Sequence, residues 1–379
     1  MAGRIIVLGG GVIGLSCAFE AVQRGFQVTV IEQASFGGQA SGAAAGMLAP
    51  YTENPEQPDP FFQLCQESLR QYPEWVKRIE SVSGINPELL ATGSLTVALH
   101  EADLLPLKTR MAWQSAYGAS DVELIEQGKR LRAMEPLLTD KAVAALYNPA
   151  ERHVNAPRMV AALEEACRKL GVELVDHAGE VAIDASGPVV RTSKKGEWHG
   201  DRLVVCTGAW ACQLADELGL PIPIHPIRGQ ICAYEVPFGY THHMIFSSQA
   251  YWVGKRNGTL VCGASEDVAG YSTAVTDKGI GRLVRWGERL FPYLAGRPTI
   301  RRWAGLRPAT RDGWPLIGEL PAHSHIIIAA GHYRNGILLS PVTARLVGDL
   351  LSGHAHAARV PLAPFAPDRF TAGATGDGK

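Results

Sequence analysis

A short apolar run at Arg4 to Leu8 (RIIVL) gives way to glycines between Gly9 and Gly14, to apolar residues at helical spacing from Val12 to Arg24, and to the β-branched run Gln27 to Ile31 (QVTVI). Strand, turn, helix and strand in that order form the opening βαβ half of a doubly wound sheet. The apolar stretch Ile5 to Phe19 behind Arg4 is not read as a signal peptide. LGGGVIG is glycine-dense, and the amphipathic pattern continues into Glu20 and Arg24 without a small-residue cleavage site.

Beyond a small-residue stretch (Gly37 to Gly46) and a proline-rich loop, Phe61, Leu64, Leu69, Tyr72, Val76 and Ile79 recur at helical spacing up to Val82. Gly84 then stands where a C-cap is expected. Gly93 to Leu99 reads as a strand, and the segment up to Ala150 mixes short helices and strands without a βαβ rhythm. Asn155 and Pro157 open a helix ending before Gly171. VELVDH and RLVVC (Arg202 to Cys206) follow as strands, the second ending in a Thr207-Gly208 turn and a helix from near Ala209. From Pro221 to Thr310 the alternation lengthens into antiparallel strands, with Asn257-Gly258 as the turn of a hairpin between YWVGK and TLVCGAS. His325 to Ala330 is a further buried strand, and a helix beginning between Gly336 and Pro341 runs to Leu351.

Composition narrows the function. With 379 residues, 46% of them hydrophobic, the chain has material for a large core. Lys+Arg number 36 against 37 Asp+Glu, and no sustained basic run supplies the footprint of a nucleic-acid or anionic-membrane binder, so a small molecule is the expected partner. No apolar stretch approaches the roughly 18 residues a bilayer span needs. The seven cysteines (Cys17, Cys65, Cys167, Cys206, Cys212, Cys232, Cys262) include no CxxC pair and sit mostly in apolar runs, which reads as reduced thiols in a cytoplasmic protein. His242-His243, His323/His325 and His354/His356 lack partners at metal-ligand spacing, and no metal is expected.

Gly9, Gly11 and Gly14 fit GxGxxG, whose glycines let the backbone approach a pyrophosphate at a helix N-terminus. Glu32 ends the second strand 21 residues beyond Gly11, where a carboxylate accepts from ribose hydroxyls and repels a 2'-phosphate. These residues do not separate FAD from NAD. The run GGQASGAAAGM (Gly37 to Met47) reads either as a flexible linker or as a second backbone cradle. AAGHYRNGILLSPVTARL sends a strand through a glycine turn into a helix whose N-terminal dipole favours negative charge. Two cradles beside one nucleotide fold point to a long cofactor with an electron-rich ring near the C-terminal helix, as FAD would place it. An NAD-dependent enzyme and a nucleotide-binding module without redox turnover are the readings left open.

VLGGGVIG, SGAAAGML, RRWAGLRPATRDGWPLIG and AAGHYRNGILLSP together resemble the glycine oxidase branch of the FAD amine oxidases related to D-amino acid oxidase and sarcosine oxidase, over nearly the whole chain. The resemblance implies an α/β plus α+β architecture. A discontinuous Rossmann-like FAD-binding domain (1–85, 154–219 and 310–365) would carry an inserted substrate domain on a mainly antiparallel sheet (86–153 and 220–309), with a tail at 366–379. FAD contacts are implied at Gly9, Gly11, Val12, Ile13 and Gly14, at Glu32 and Gln33 on the ribose, at Ala40 and Ser41, at Ala45, Gly46 and Met47 beside the ring, and at Gly208. They continue through His332, Tyr333, Arg334, Asn335, Gly336, Ile337 and Leu338 at the pyrimidine end, with a backbone contact to adenine near Glu180. Gly305 stands where sarcosine oxidase relatives carry a flavin-bonding cysteine, and no cysteine follows Cys262, so the FAD is expected to be non-covalent.

Arg307 closes the apolar strand WAGLRP, where a solvated arginine is out of place; its planar fork suits a buried carboxylate. By resemblance it anchors the substrate carboxylate with Tyr251, and Arg334 is a second substrate-side cation that also steadies charge on the reduced ring. Without the resemblance, Tyr251 reads as strand packing; Arg301, Arg302 and Arg311 are expected to be solvated or structural. The implied activity is FAD-dependent oxidative deamination of glycine, and of sarcosine and small D-amino acids, to glyoxylate, ammonia and hydrogen peroxide. The resemblance further implies that dioxygen reoxidises the flavin, that the imine or its hydrolysis product feeds thiamine thiazole assembly, and that the protein is a cytoplasmic homotetramer. A dehydrogenase passing electrons to a quinone or another protein is the neighbouring alternative.

Overall fold

A computed structural model describes residues 3–54, 58–354 and 360–371; His356 and residues 372–379 of the expected tail lie outside them. Two sheets organise the chain. The first has six strands in the order Leu316–Leu320, His323–Ala330, Arg202–Val205, Arg4–Leu8, Gln27–Ile31 and Glu173–Val175. All neighbours are parallel except the first pair. Because side chains alternate along a strand, Arg4–Leu8 splits its apolar residues between two cores. Ile5 and Val7 join the core under the helices Val12–Gln23, Pro60–Ser83, Ala156–Lys169 and Gly336–Leu351. Ile6 and Leu8 join the opposite one.

That opposite face is covered by a three-stranded antiparallel meander, Val181–Asp184, Val189–Thr192 and Gly196–His199, and not by a second helical layer. The helix expected near Ala209 is a 3-10 segment, Gly208–Leu214, with a single α turn, Ala215–Leu218, stopped by Gly219 in the left-handed region. Other ends follow their local signals. Asn155 accepts from Arg158 N at the start of Ala156–Lys169, and Gly84 at φ 74° closes Pro60–Ser83.

Gly336–Leu351 contains Pro341, so the Ile337 carbonyl loses its in-helix backbone donor and accepts instead from side chains, Ser340 Oγ of the same helix among them at 2.9 Å. Tyr72 Oη supplies another donor at 2.9 Å, and Ser68 Oγ donates to the Leu338 carbonyl at 2.6 Å. Both come from Pro60–Ser83, and they fix the C-terminal helix where its first turn meets the cavity described below.

The second sheet has eight strands, ordered Arg301–Thr310, Ile224–Glu235, Thr259–Gly263, Tyr251–Gly254, Met244–Phe246, Ser94–Ala98, Ala144–Asn148 and Glu123–Glu126. Only Met244–Phe246 and Ser94–Ala98 run parallel. The Asn257-Gly258 hairpin forms as its sequence requires, pairing Tyr251 with Gly263 and Gly254 with Leu260. Arg301–Thr310 and Ile224–Glu235 pair over ten residues, from Ala233 against Arg301 to Ile224 against Thr310. Trp303 Nε1 donates to the Ala43 carbonyl at 3.0 Å, tying this sheet to the small-residue run. All seven cysteines are free thiols, and among the described residues no helix is long and apolar enough to cross a membrane.

Candidate active site

A cavity of about 940 Å³ lies between the sheets, walled by the C-terminal ends of the parallel strands, the 39–47 run, the Arg301–Thr310 strand and the start of the C-terminal helix. Ligand crevices of doubly wound sheets open at those strand ends. At its nucleotide end stand Gly9, Gly11, Val12, Ile13, Glu32 and Gln33. Gly9 holds φ 107°, and any Cβ there would run into the Cys206 carbonyl. Glu32 Oε2 accepts from Gly10 N at 2.7 Å and Oε1 from Ala34 N at 2.9 Å, which fixes the carboxylate beside the glycine turn. The Val12–Gln23 helix has no side-chain cap from its own N-cap residue, Gly11; Ser41 Oγ, from the 39–47 run, accepts from Val12 N at 2.9 Å.

The middle of the wall is built from small residues. Ala40, Ser41, Ala45, Gly46, Met47 and Gly208 line it. Gly46 takes φ 82°, and a Cβ there would strike the Val154 carbonyl. Nothing lies within 4 Å of a Cβ added at Gly208. Lys255 Nζ, buried, donates to the carbonyls of Ala45 at 2.6 Å and Val154 at 2.8 Å and lies 3.3 Å from His153 Nδ1, clamping the run from behind. Gly305 also faces the cavity, with room for a Cβ denied by Ala43, whose own Cβ would be 2.6 Å away.

Arg307, Tyr251, Tyr333 and Arg334 meet at the other end. Arg307 Nη1 donates to the Ser265 carbonyl at 3.0 Å, and among the described residues no carboxylate lies within ion-pair distance of it. Ser265 is itself held: its Oγ donates to Asp267 Oδ2 at 2.8 Å and accepts from Gln230 N at 3.0 Å. Burial pushes Asp267 upward, but hydrogen bonds from Gln230, Ser265 and Arg228 outweigh it and hold the carboxyl below its ordinary range.

Tyr251 lies over Gly263, where any Cβ would collide with the phenol. Burial pushes its hydroxyl up to about 12, with Arg307 opposing, so it remains a donor at neutral pH. His332 is buried with Nε2 3.0 Å from Thr343 Oγ1, and burial holds it down to about 3, leaving a neutral ring in the wall.

Three residues expected at the cofactor do not reach the cavity wall. Gly14 serves packing, since a Cβ there would collide with the Gly9 carbonyl; Asn335 is the N-cap of the C-terminal helix; Leu338 is buried in the helical core. Glu180 lines the wall; its N–H donates to Ser193 Oγ at 3.0 Å and its carbonyl accepts from Ser193 N at 2.9 Å. Val181, the next residue on this edge strand, also lines the cavity and by strand alternation turns its backbone groups away from the meander.

Two residues absent from the sequence reading complete the site. Glu53 Oε1 lies 3.6 Å from Arg334 Nη2, with its side chain only 9% exposed. Glu266 Oε1 lies 3.4 Å from Arg334 Nη1 and accepts from Tyr333 Oη at 3.1 Å. Of the histidines, His243 pairs with the buried Glu135, and among the described residues no group of three His, Cys, Asp or Glu is placed to hold a metal.

Comparison with known proteins places these features in a family. Residues 4–350 match the family model described as FAD dependent oxidoreductase. Glycine oxidase of Geobacillus kaustophilus is 32% identical over 369 residues, covering 96% of both chains. Its crystal structure superposes with a TM-score of 0.91 over 97% of this chain and 99% of that one. The bifunctional protein ThiO/ThiG of Synechocystis is 34% identical over 357 residues; the match takes in 92% of this chain but about half, 51%, of that longer protein.

Proposed function

The chain belongs to the FAD dependent oxidoreductases, among the glycine oxidases, and from that premise we propose that it oxidises glycine with dioxygen and water to glyoxylate, ammonia and hydrogen peroxide. The observation that carries the proposal is Arg307: a cavity-facing guanidinium with no carboxylate partner among the described residues, beside a protonated Tyr251 hydroxyl, at the far end of a dinucleotide cleft.

FAD fits the wall. Glu32 offers a carboxylate for ribose hydroxyls, and the Val12 end of the first helix lies where a pyrophosphate is favoured. The Ala45–Met47 backbone and the first turn of Gly336–Leu351 flank the space left for a flat ring. Val181 supplies backbone groups for adenine. Gly305 occupies the wall position at which relatives bond the flavin through a cysteine, and no cysteine follows Cys262 in the sequence, so the cofactor is held without a covalent bond there. When bound, FAD supplies the two-electron acceptor for the substrate's α C–H bond.

The protein's own part is orientation and electrostatics. Arg307 grips the substrate carboxylate through its fork, and Tyr251 Oη donates to the same group; two anchors on one carboxylate fix the direction of the α-carbon. Arg334, on the strained turn where Tyr333 takes φ 46°, faces the same compartment. His332 stays neutral and adds no charge to the wall. Sarcosine and small D-amino acids extend the substrate range, and the likeness to ThiO/ThiG supports delivery of the glycine imine or its product to thiamine thiazole assembly. A cytoplasmic location accords with the buried free thiols, and a homotetramer with the family.

Anaerobic glycine added to the purified holoenzyme is expected to bleach the flavin's visible absorbance, and air to release hydrogen peroxide. A colourless protein, or a yellow one that glycine does not bleach, overturns the reading. Peroxide assays with glycine, sarcosine, D-alanine and D-proline rank the substrates. Turnover only with an artificial acceptor would make it a dehydrogenase.

A further inference from the structure

The two arginines near Tyr251 are not equivalent. Arg307 has a backbone carbonyl as its partner, whereas Arg334 lies between Glu53 at 3.6 Å and Glu266 at 3.4 Å. Arg307, Arg334, Glu53 and Tyr251 all line the same cavity.

Glu53 is held there by construction. Buried Glu151, 98 positions on in the sequence, accepts from Tyr51 N at 2.9 Å, Thr52 N at 2.7 Å and Thr52 Oγ1 at 2.6 Å. Glu53 N then donates to the Ala49 carbonyl at 2.9 Å, closing a turn that presents the carboxylate to the cavity. A charge covered to this degree is screened little by salt and acts strongly on its neighbours.

We infer that Glu53 is a specificity-determining residue. Glu266 is half exposed and its pair with Arg334 is screened by solvent, so the buried Glu53 is the carboxylate that neutralises Arg334 on the cavity side; this leaves Arg307 as the anion-binding group, so that the site accepts amino acids bearing one carboxylate and rejects those bearing a second anion. Discrimination of this kind comes from what is withheld from the wrong ligand as much as from what is offered to the right one. A dianion lying between Arg307 and Arg334 must displace Glu53 from its partner or share the compartment with it; a monoanion on Arg307 does neither. The inference rests on Arg307 being the carboxylate anchor.

The test uses holoenzyme and small isosteric pairs that differ by one charge: oxalate against oxamate, and malonate against malonamate. Dissociation constants are measured by isothermal titration calorimetry for the wild type, Glu53→Gln and the double variant Glu53→Gln/Arg334→Gln. Glu53→Gln keeps the side-chain volume, so a change in the dianion-to-monoanion ratio reports charge. The expected result is at least a tenfold gain of one dicarboxylate over its monoamide in E53Q, lost again in the double variant. Dicarboxylates that bind E53Q no better, relative to their monoamides, than they bind wild type overturn the inference, as does a gain that survives loss of Arg334. Glycine-dependent bleaching of the wild-type flavin is read separately, so failure of the glycine oxidase reading is distinguishable from failure of the charge filter.

Discussion

Gly229 is the floor on which Arg307 lies: a Cβ at Gly229 would stand 2.5 Å from the guanidinium carbon. The two residues face across adjacent strands, where Gly229 is paired with Gly305 and Arg307 with Ile227. The stance of the anchor is thus set by an absent side chain on the neighbouring strand. Gly229→Ala is expected to push Arg307 off its position and raise the glycine KM roughly tenfold or more, as displacement of a binding group does. FAD content, read from the visible spectrum, should remain near that of wild type.

Arg307 itself can be separated from its charge. On the proposed anchoring, Arg307→Ala would remove a bidentate grip on the substrate carboxylate, and kcat/KM for glycine should fall roughly 100-fold or more. Arg307→Lys restores the charge but not the planar fork and should recover only part of the loss. Steady-state kinetics on FAD-loaded protein check both; loss of the flavin in either variant would reassign Arg307 as a structural residue.

Tyr251 is expected to work as a neutral donor across the whole practical pH range. Burial pushes its hydroxyl up to about 12, so it titrates beyond the alkaline limb of ordinary assays. Tyr251→Phe should raise the glycine KM by roughly tenfold, the worth of one hydrogen bond to a charged group. Its pH profile between neutrality and pH ~10 should keep the wild-type shape. A wild-type inflection in this range that disappears in Y251F would show that the phenol ionises there.

At the other end of the cleft, Glu32 carries two duties, since the carboxylate that would meet the ribose also accepts from Gly10 N at 2.7 Å. Glu32→Ala should weaken FAD binding by roughly ten- to a hundredfold, measured by fluorescence titration of apoprotein, because it removes a charged acceptor and loosens the glycine turn together. The fraction that remains loaded should keep its glycine KM.

How far the site could be read from sequence depends on the range of the signal. Gln27–Ile31 forms the strand its β-branched run announces, Gly84 caps its helix in the left-handed region, and Asn257-Gly258 makes the hairpin that carries Tyr251, each by local chemistry. Arg307 and Arg334 stood out because an arginine in an apolar strand end or a glycine turn is anomalous by itself. Glu53 and Glu266 did not, since an acidic residue in TENPEQPDP or GASEDV looks like any solvated loop charge. The burial of Glu53 depends on Glu151 pulling Tyr51 and Thr52 inward, a contact spanning about a hundred positions that no periodicity records. The meander was missed because its strands are four residues long and joined by polar turns such as SKKG.

Lys255 offers a prediction about stability. Its Nζ meets two carbonyls, Ala45 and Val154, and one ring nitrogen, His153 Nδ1. A neutral amine has two N–H groups and one lone pair, so it satisfies both carbonyls and accepts from Nδ1–H; the ammonium form satisfies the same three atoms with the other histidine tautomer. Burial, with Glu88 only partly opposing, holds Lys255 down to about 7 from its ordinary 10.5. Between these values the unfolded chain binds the proton and the folded one does not, so stability rises with pH at up to about 1.4 kcal/mol per unit. Below 7 both states are charged, and the slope from this group vanishes. Lys255→Met lacks the titration, and the constant loss from its unsatisfied carbonyls cancels when one pH is subtracted from another. The stability gap between wild-type and K255M holoenzyme, from chemical denaturation, should therefore widen in favour of the wild type by about 2–3 kcal/mol from pH 7 to 9. A gap that stays flat would mean that Lys255 keeps its proton in the fold and clamps the Ala45–Met47 backbone as a permanent cation; a gap that narrows would contradict the sign argued here.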